Sequence, residues 1–449
     1  MNRTGRIHFP HPLVLLTACV LLAALASYVL PAGAFDRTED EATGRTVVVA
    51  GTYHSVEPDP VNFFEAMVAL PRGMAEAGDV IFLVFLVGGA FTVVDETGTL
   101  RRAVGWLSRL LHGRDILVIP IVSLFFAAGG ALENIQEEII ALVPVLLVLT
   151  RRMGFTPLVA AAISAGPAFV ASAFSPINPF QVQIAQKLAD LPLLSGGAFR
   201  TAFLVLALGL WIGGTMRFAA RTRVEKHAVR QEDDEPMTRK DWSVLGLVAA
   251  TFAILVWGLL SLGWDFDHLS ALFFVMGVVV GAAAGLGITG TAEAYVKGFR
   301  SMAYAALLIG FARAIFVVLE EGRIVDTIVY GMFTPLDNLP RLASAVGMVF
   351  AQAAIHVPVP SVSGQAVLTM PVLVPLSDLL GISRQVTVLA YQFGAGLCDL
   401  ITPTNGALLA ILAAAGVRFE DWIRFTLPLY AALVGLGIVA IATAMAVGL

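Results

Sequence analysis

Two short motifs in this chain carry groups able to hold a small polar molecule: Ser175-Pro176-Ile177-Asn178 and Thr402-Pro403-Thr404-Asn405. Their prolines are 227 residues apart, and so are their asparagines, close to half of a 449-residue chain. Each motif interrupts a long apolar stretch. Proline lacks the N–H that a helix needs and clashes with the carbonyl one turn back, so it breaks the helix. Lipid cannot satisfy the backbone groups thus freed, and such a break is tolerated where it lines a cavity. One half-helix end then offers free N–H groups and partial positive charge, which suits a carboxylate. The opposing end offers carbonyls, which suit Na⁺ or an ammonium group. The hydroxyls and amides of Ser175, Asn178, Thr402, Thr404 and Asn405 can donate or accept beside them.

The elements that must position these motifs are membrane helices. The chain is 58% hydrophobic and 14% charged, with a mean hydropathy of +0.84, and its apolar runs are long enough to cross a bilayer. Complete crossings are expected near 12–33, 79–97, 156–190 (broken), 197–217, 243–263, 269–288, 302–319, 385–416 (broken) and 423–449. Arg3 and Arg6, the run from Leu13 to Leu30 and Ala32-Gly33-Ala34 imitate a signal peptide. That run has the length of a full span and a counterpart in the second half, so it reads as a retained first helix. Cys19 and Cys398 lie far apart in apolar runs and read as small buried residues, not a disulfide. The segment from Asp36 to Ser55, β-rich at Thr46-Val47-Val48-Val49, predicts a small external hairpin.

Two further apolar stretches carry polar residues at their midpoints. Glu133-Asn134-Ile135-Gln136-Glu137-Glu138 centres 115–150, and Pro358-Val359-Pro360-Ser361-Val362-Ser363-Gly364-Gln365 centres 342–380. Polar tips in mid-membrane predict re-entrant hairpins, with Gly129-Gly130 and Gly364 easing the reversal. Placing the N-terminus in the cytoplasm puts 19 of the 28 Lys and Arg residues on the cytoplasmic side and leaves the C-terminus external. The census does not separate hairpins from crossing pairs.

The halves match beyond the breaks. Glu65-Ala66 and Arg72-Gly73-Met74-Ala75 recur as Glu293-Ala294 and Arg300-Ser301-Met302-Ala303, at an offset of 228. Ala90, Val93-Val94 and Gly98 recur as Ala314, Val317-Val318 and Gly322, at 224; Pro144 and Gly154 recur as Pro371 and Gly381, at 227. Shared order and a near-constant offset indicate duplication. One extra crossing lies between the units, so the repeats are inverted. The first repeat is expected over 1–216, with an external loop at 34–78, and a cytoplasmic linker over 217–242; 243–449 holds the extra helix and the second repeat. The two hairpins then enter from opposite faces and converge on the two breaks, the arrangement of a secondary transporter's binding site.

Acids sharpen the expectation. A carboxylate at membrane depth costs about 2.5–3.5 kcal/mol on insertion scales, so Glu133, Glu137, Glu138 and Asp399 need partners. They bind a coupling cation, carry a proton or meet a substrate ammonium, unless they lie hydrated near the interface. Asn134 belongs to the same group, and Ser361, Ser363, Gly364 and Gln365 join the substrate set at the other tip. Arg313 and His356 are intramembrane by this parse, as structural partners or as substrate contacts.

At these residues the chain resembles a known family. Pro360-Ser361-Val362-Ser363-Gly364-Gln365-Ala366, Leu368-Thr369-Met370-Pro371, Gln392-Phe393-Gly394 and Pro403-Thr404 resemble the YfcC-like branch of the DcuC family of anaerobic four-carbon dicarboxylate carriers. So do Glu137-Glu138 followed by Pro144, and Gly88-Gly89-Ala90-Phe91. The resemblance implies a bacterial inner-membrane carrier for small carboxylates or amino acids, of the ion transporter superfamily and its elevator mechanism; some relatives are described as amino-acid or arginine/ornithine exchangers. Val362, Ala395 and Asn405 depart from the branch, which carries Gly, Asp and Ser there.

The expected protein is an all-α, polytopic, inverted-repeat elevator with two re-entrant hairpins and two broken transmembrane helices, working as a homodimer in the lipid bilayer. It moves a small carboxylate-bearing metabolite, with an amino acid preferred to a C4-dicarboxylate, by symport or exchange coupled to Na⁺ or H⁺. No cofactor and no nucleic-acid partner are expected. A channel is the nearest rival. An enzyme would need a signature such as His-Glu-x-x-His or Gly-x-Ser-x-Gly, and neither occurs. Asn178→Ala and Asn405→Ala are both expected to abolish transport without lowering membrane abundance.

Overall fold

The computed structural model describes residues 11–40, 45–110, 115–133, 135–224, 236–262 and 264–449. Apolar runs set off by Pro and Gly dictate a nearly all-helical chain. The first helix, α1 (Pro12–Val29), starts with proline in its first turn, where the missing N–H costs nothing. A short extramembrane segment follows, with β1 (Gly33–Ala34) paired to β4 (His54–Ser55) and β2 (Arg37–Asp40) antiparallel to β3 (Arg45–Val48). The last pair is the hairpin expected within 36–55, and its register opposes Arg37 to Val48.

Next come α2 (Phe63–Glu76), α3 (Gly78–Glu96) and α4 (Thr99–Leu110). α2 lies where a loop was expected. Asn62 accepts from the amides of Phe64 and Glu65, and Glu65 Oε2 accepts from Asn62 N–H, a capping box that starts the helix. The helix pair α5 (Val118–Glu133) and α6 (Glu137–Arg152) occupies the first polar-tipped stretch. α7 (Pro157–Phe174) ends at the first break, after which a π-helical turn, Pro179–Gln183, leads into α8 (Ile184–Leu188). α9 (Gly197–Arg221), α10 (Arg239–Leu262) and α11 (Phe266–Ala284) follow.

α12 (Gly287–Glu321) is a single 35-residue helix, longer at both ends than the crossing expected at 302–319. Glu293, Lys297 and Arg300 fall on one exposed side, while Thr291, Ala294, Tyr295 and Gly298 are buried, so the helix runs on through the charges. After α13 (Val325–Phe333) come α14 (Arg341–His356) and α15 (Val362–Leu379), the second polar-tipped pair. α16 (Arg384–Tyr391) passes into a π-helical turn, Gln392–Gly396, and the second break precedes α17 (Gly406–Ala415) and α18 (Phe419–Val447).

Among the described residues, nine helices are long and apolar enough to cross a membrane. α7 is the centre of the packing: every residue from Leu158 to Phe174 is buried, and most are Ala, Gly or Ser. Small residues let neighbouring backbones close in. A Cβ on Gly130 of α5 would lie 2.2 Å from the Ala168 carbonyl oxygen of α7. A second apolar cluster joins α3, α10, α11 and α12 through Phe91, Phe273, Met276 and Tyr295.

Candidate functional site

The first break is tied to the tip of α5. Ser175 Oγ accepts from the amides of Ile177 (3.0 Å) and Asn178 (2.9 Å) and donates to the Ala131 carbonyl (2.7 Å). Asn178 Oδ1 accepts from the amides of Phe180 (3.0 Å) and Gln181 (2.9 Å). Its Nδ2 donates to the Gly130 carbonyl (2.9 Å) and to Ser172 Oγ (3.3 Å). Both side chains are buried and their polar atoms are occupied, so in this conformation Asn178 itself caps the N–H groups that could face a carboxylate.

The second break is tied to both tips. Asn405 Oδ1 caps α17 by accepting from Leu408 N–H (2.8 Å). Its Nδ2 donates to Asp399 Oδ1 (2.6 Å) and to Gln136 Oε1 (3.2 Å), while Gln136 Nε2 donates to Asp399 Oδ2 (3.0 Å). Thr404 Oγ1 donates to the Val357 carbonyl at the end of α14, and Thr402 Oγ1 to the Cys398 carbonyl (2.8 Å). His356 Nε2 meets Asp399 Oδ1 at 2.8 Å, and its Nδ1 meets Gln365 Oε1 at 2.9 Å.

Two cavities flank this junction. One, of about 630 Å³, is lined by Gln136, Glu137, Ser361, Gly364, Thr404 and Asn405, with Glu76 and Arg313 across from them. The other, of about 950 Å³, is lined by Glu133, Glu137, Glu138, Ser363 and Asp399 together with Ile177 and Phe180 of the first break. Gln136, Glu137, Pro360 and Ser361 border both. The size suits a small metabolite. The second cavity carries five carboxylates, Glu133, Glu137, Glu138, Asp265 and Asp399, and among the described residues no Lys or Arg on its wall. Glu138 Oε2 is buried without a hydrogen-bond partner among the described residues. Carboxylates gathered in a low-dielectric wall repel one another, and a cationic group relieves that repulsion. In the first cavity Arg313 Nε bonds Glu76 Oε2 at 2.9 Å, and its guanidinium lies 4.8 Å from the Phe316 ring centre. Among the described residues no group of three His, Cys, Asp or Glu side chains could hold a metal ion.

Of the residues singled out in the sequence, Ser361, Ser363, Gly364, Thr404, Asn405, Glu133, Glu137, Glu138 and Asp399 border the cavities. Ser175, Asn178, Gln365 and Thr402 lie buried behind them. Asn134 falls outside the described residues. The sequence reading passed over a buried network around Arg200, which is 1% exposed. Its guanidinium donates to Gln392 Oε1 (2.8 Å), Gln385 Oε1 (2.9 Å) and the Ser195 carbonyl (2.6 Å), and Gln392 Nε2 reaches the Ser175 carbonyl (3.0 Å). An arginine three residues into an apolar helix was the available signal.

Interrupted helices enclosing an acid-lined polar cavity, in a chain built from membrane-spanning lengths, place this molecule among the multi-pass membrane transporters. Its sequence matches the model of the family described as "DcuC: C4-dicarboxylate anaerobic carrier" over residues 9–446, and the chain belongs to that family. It is similar to the Escherichia coli (strain K12) protein named "Putative basic amino acid antiporter YfcC", with 31% identity covering 94% of this chain and 93% of that one. An uncharacterized Haemophilus influenzae protein is 28% identical, over 88% of this chain and 80% of its own length. Among solved structures, the Alcanivorax borkumensis YdaH transporter aligns with a TM-score of 0.46 at 20% identity, covering 98% of this chain and 99% of that one. Neisseria gonorrhoeae MtrF, from a class titled antimetabolite efflux pumps, aligns with a TM-score of 0.43 at 18% identity over 98% and 96%.

Proposed function

We propose that this transporter is a secondary carrier of the bacterial inner membrane that exchanges or co-transports a small amino acid with a coupling cation. The observation that carries the reading is the wall of Glu133, Glu137, Glu138 and Asp399, with a buried Glu138 oxygen that no side chain or amide among the described residues satisfies. An ammonium-bearing substrate matches that wall; a dicarboxylate would add two negative charges to it. The Escherichia coli relative is named for basic amino acids and the family for C4-dicarboxylates, and the acid wall favours the first. Ser361, Ser363, Thr404 and Asn405 would orient the substrate's carboxylate from the opposite tip.

In the same reading α5–α6 and α14–α15 are re-entrant hairpins that gate the site in turn, within inverted halves of a dimeric elevator with a cytoplasmic N-terminus. Contacts between the halves support the pairing: Met74 of α2 packs over Gly310 of α12, and Met302, its counterpart in the second half, packs over Gly88 of α3. The test is uptake into proteoliposomes of amino acids and C4-dicarboxylates, each with and without Na⁺ and pH gradients. Saturable, concentrative amino-acid uptake with counterflow is expected. Transport of dicarboxylates alone would overturn the substrate assignment, and non-saturable flux without counterflow would make the protein a channel.

A further inference from the structure

The hydrogen-bond network behind the cavities fixes where its protons lie. Gln365 Nε2 points at the Gln352 backbone carbonyl (2.7 Å), which can only accept, so Gln365 Oε1 is the atom that faces His356. That oxygen has no hydrogen to give, and His356 Nδ1 therefore carries one. On the other side, Asn405 Oδ1 is held by the Leu408 amide, which can only donate, so Asn405 Nδ2 is the donor to Asp399. The same amide donates to Gln136 Oε1, which leaves Gln136 Nε2 as the donor to Asp399 Oδ2. Asp399 thus accepts from two amides. The 2.8 Å contact between His356 Nε2 and Asp399 Oδ1 needs one more hydrogen between two atoms that otherwise present lone pairs to each other. This assignment rests on backbone groups whose roles are not adjustable.

We infer that His356 and Asp399 form the proton-carrying site of this transporter, and that a substrate ammonium group competes with the proton for Asp399. The inference rests on the reading of the chain as a secondary carrier of an ammonium-bearing substrate. An ionisable pair within the membrane-embedded part of such a protein is where coupling is expected. His356 is fully buried at the end of α14, whereas Asp399 lies at the second break and borders the acid-lined cavity. The shared proton therefore fastens α14 to the second break. When a substrate ammonium enters that cavity and takes the carboxylate, the shared proton leaves by way of Asp399 to water there. Imidazolium, carboxylate and ammonium become neutral imidazole, an ammonium–carboxylate pair and one released proton. Charge balances, the fastening opens, and substrate and proton move in opposite directions.

The other titratable groups around the pair are Glu137 and Glu138 at the start of α6, Glu133 at the end of α5, Asp265 ahead of α11 on the same cavity wall, Cys398 beside Asp399, Tyr430 of α18 against Cys398, and Tyr391 of α16, whose hydroxyl donates to the Val362 carbonyl. Among the described residues, no Lys or Arg bonds to the imidazole or to the carboxylate.

The test uses the full chain in proteoliposomes, with a pH-sensitive dye inside, arginine and ornithine as the cationic probes, and neutral amino acids alongside. Wild type is expected to move one proton outward for each substrate taken in. His356→Gln and Asp399→Asn are each expected to lower proton movement per substrate at least tenfold, and His356→Gln to flatten the pH profile of counterflow. Wild-type transport without substrate-linked proton movement, or proton movement in the same direction as substrate, overturns the proposal and leaves the carrier reading intact. Variants that keep the wild-type proton stoichiometry overturn it as well. Should both variants be lost from the membrane, the wild-type proton flux decides alone. A protein that transports none of the probes removes the carrier reading and this proposal with it.

Discussion

At the scale of single residues, the two asparagines of the breaks have different work. Asn178 satisfies two amides, one carbonyl and one hydroxyl, and does not itself border either cavity. Asn405 caps α17 but also borders a cavity and holds Asp399. Asn178→Ala removes the acceptor of the Phe180 and Gln181 amides and the tie to the Gly130 carbonyl, and a buried polar group without a partner costs about 1–3 kcal/mol. That variant is therefore expected to lower melting temperature in detergent and membrane abundance, a revision of the motif-based expectation that abundance would be unchanged. Asn405→Ala loses one cap, worth about 0.5–2 kcal/mol, and its larger effect falls on transport, because Asp399 loses a donor and the cavity an amide. Thermal unfolding by size-exclusion chromatography, read beside uptake per folded molecule, separates the two. Equal thermal loss with equal transport loss would show that the asparagines are interchangeable, as the sequence motif alone implied.

At the scale of elements, a clasp joins α4 to α10 ahead of the apolar run of α10. Arg102 donates from Nε (2.9 Å) and from one terminal nitrogen (2.7 Å) to the two oxygens of Asp241, which Thr99 and Thr238 also bond. Burial opposes the charge on Asp241, but these hydrogen bonds outweigh it and hold the carboxyl well below the usual carboxylate range. A carboxyl so depressed contributes its full stability above the unfolded value of about 3.9 and loses it only as pH falls through the folded one. Asp241→Asn is therefore expected to destabilise by about 1–3 kcal/mol, by the same amount at pH 5 and pH 8. A pH-dependent difference across that interval, in thermal unfolding at several pH values, would contradict the assignment. Any pH dependence of transport there then belongs elsewhere. Elements of this kind were only partly legible in the sequence. The breaks showed through Pro176 and Pro403, and the tips through polar residues in apolar runs, because those departures are local. The Asn62–Glu65 box was equally local but was read as loop for want of an apolar run. The saturation of Asn178 depends on Gly130, 48 positions away, and that of Asp399 on Gln136 and His356 from two other elements. No spacing rule contains such meetings.

At the scale of the molecule, the question is whether the two polar tips end within the bilayer or beyond it. α6 and α14 have 16 residues each, which at 1.5 Å per residue is about 24 Å, against a hydrocarbon core of about 30 Å. Their partners, Asp115–Glu133 with its leading turn and Val362–Leu379, are long enough to cross, but a pair that crosses on one arm must return on the shorter one. The tips also hydrogen-bond to helix breaks, Ala131 to Ser175 and Val357 to Thr404, and a break flanked by apolar half-helices belongs near mid-membrane. Cysteine at Ser363, in a background with Cys19 and Cys398 replaced by alanine, is then expected to react with a small methanethiosulfonate that can enter the cavity and to be shielded by bound substrate. A polyethylene-glycol maleimide, too bulky for the cavity, is expected to leave it unmodified from either face of a sealed vesicle. Modification by the bulky reagent from one face would place the tip in open solvent. α14 and α15 would then be two full crossings, and the gate would have to lie elsewhere.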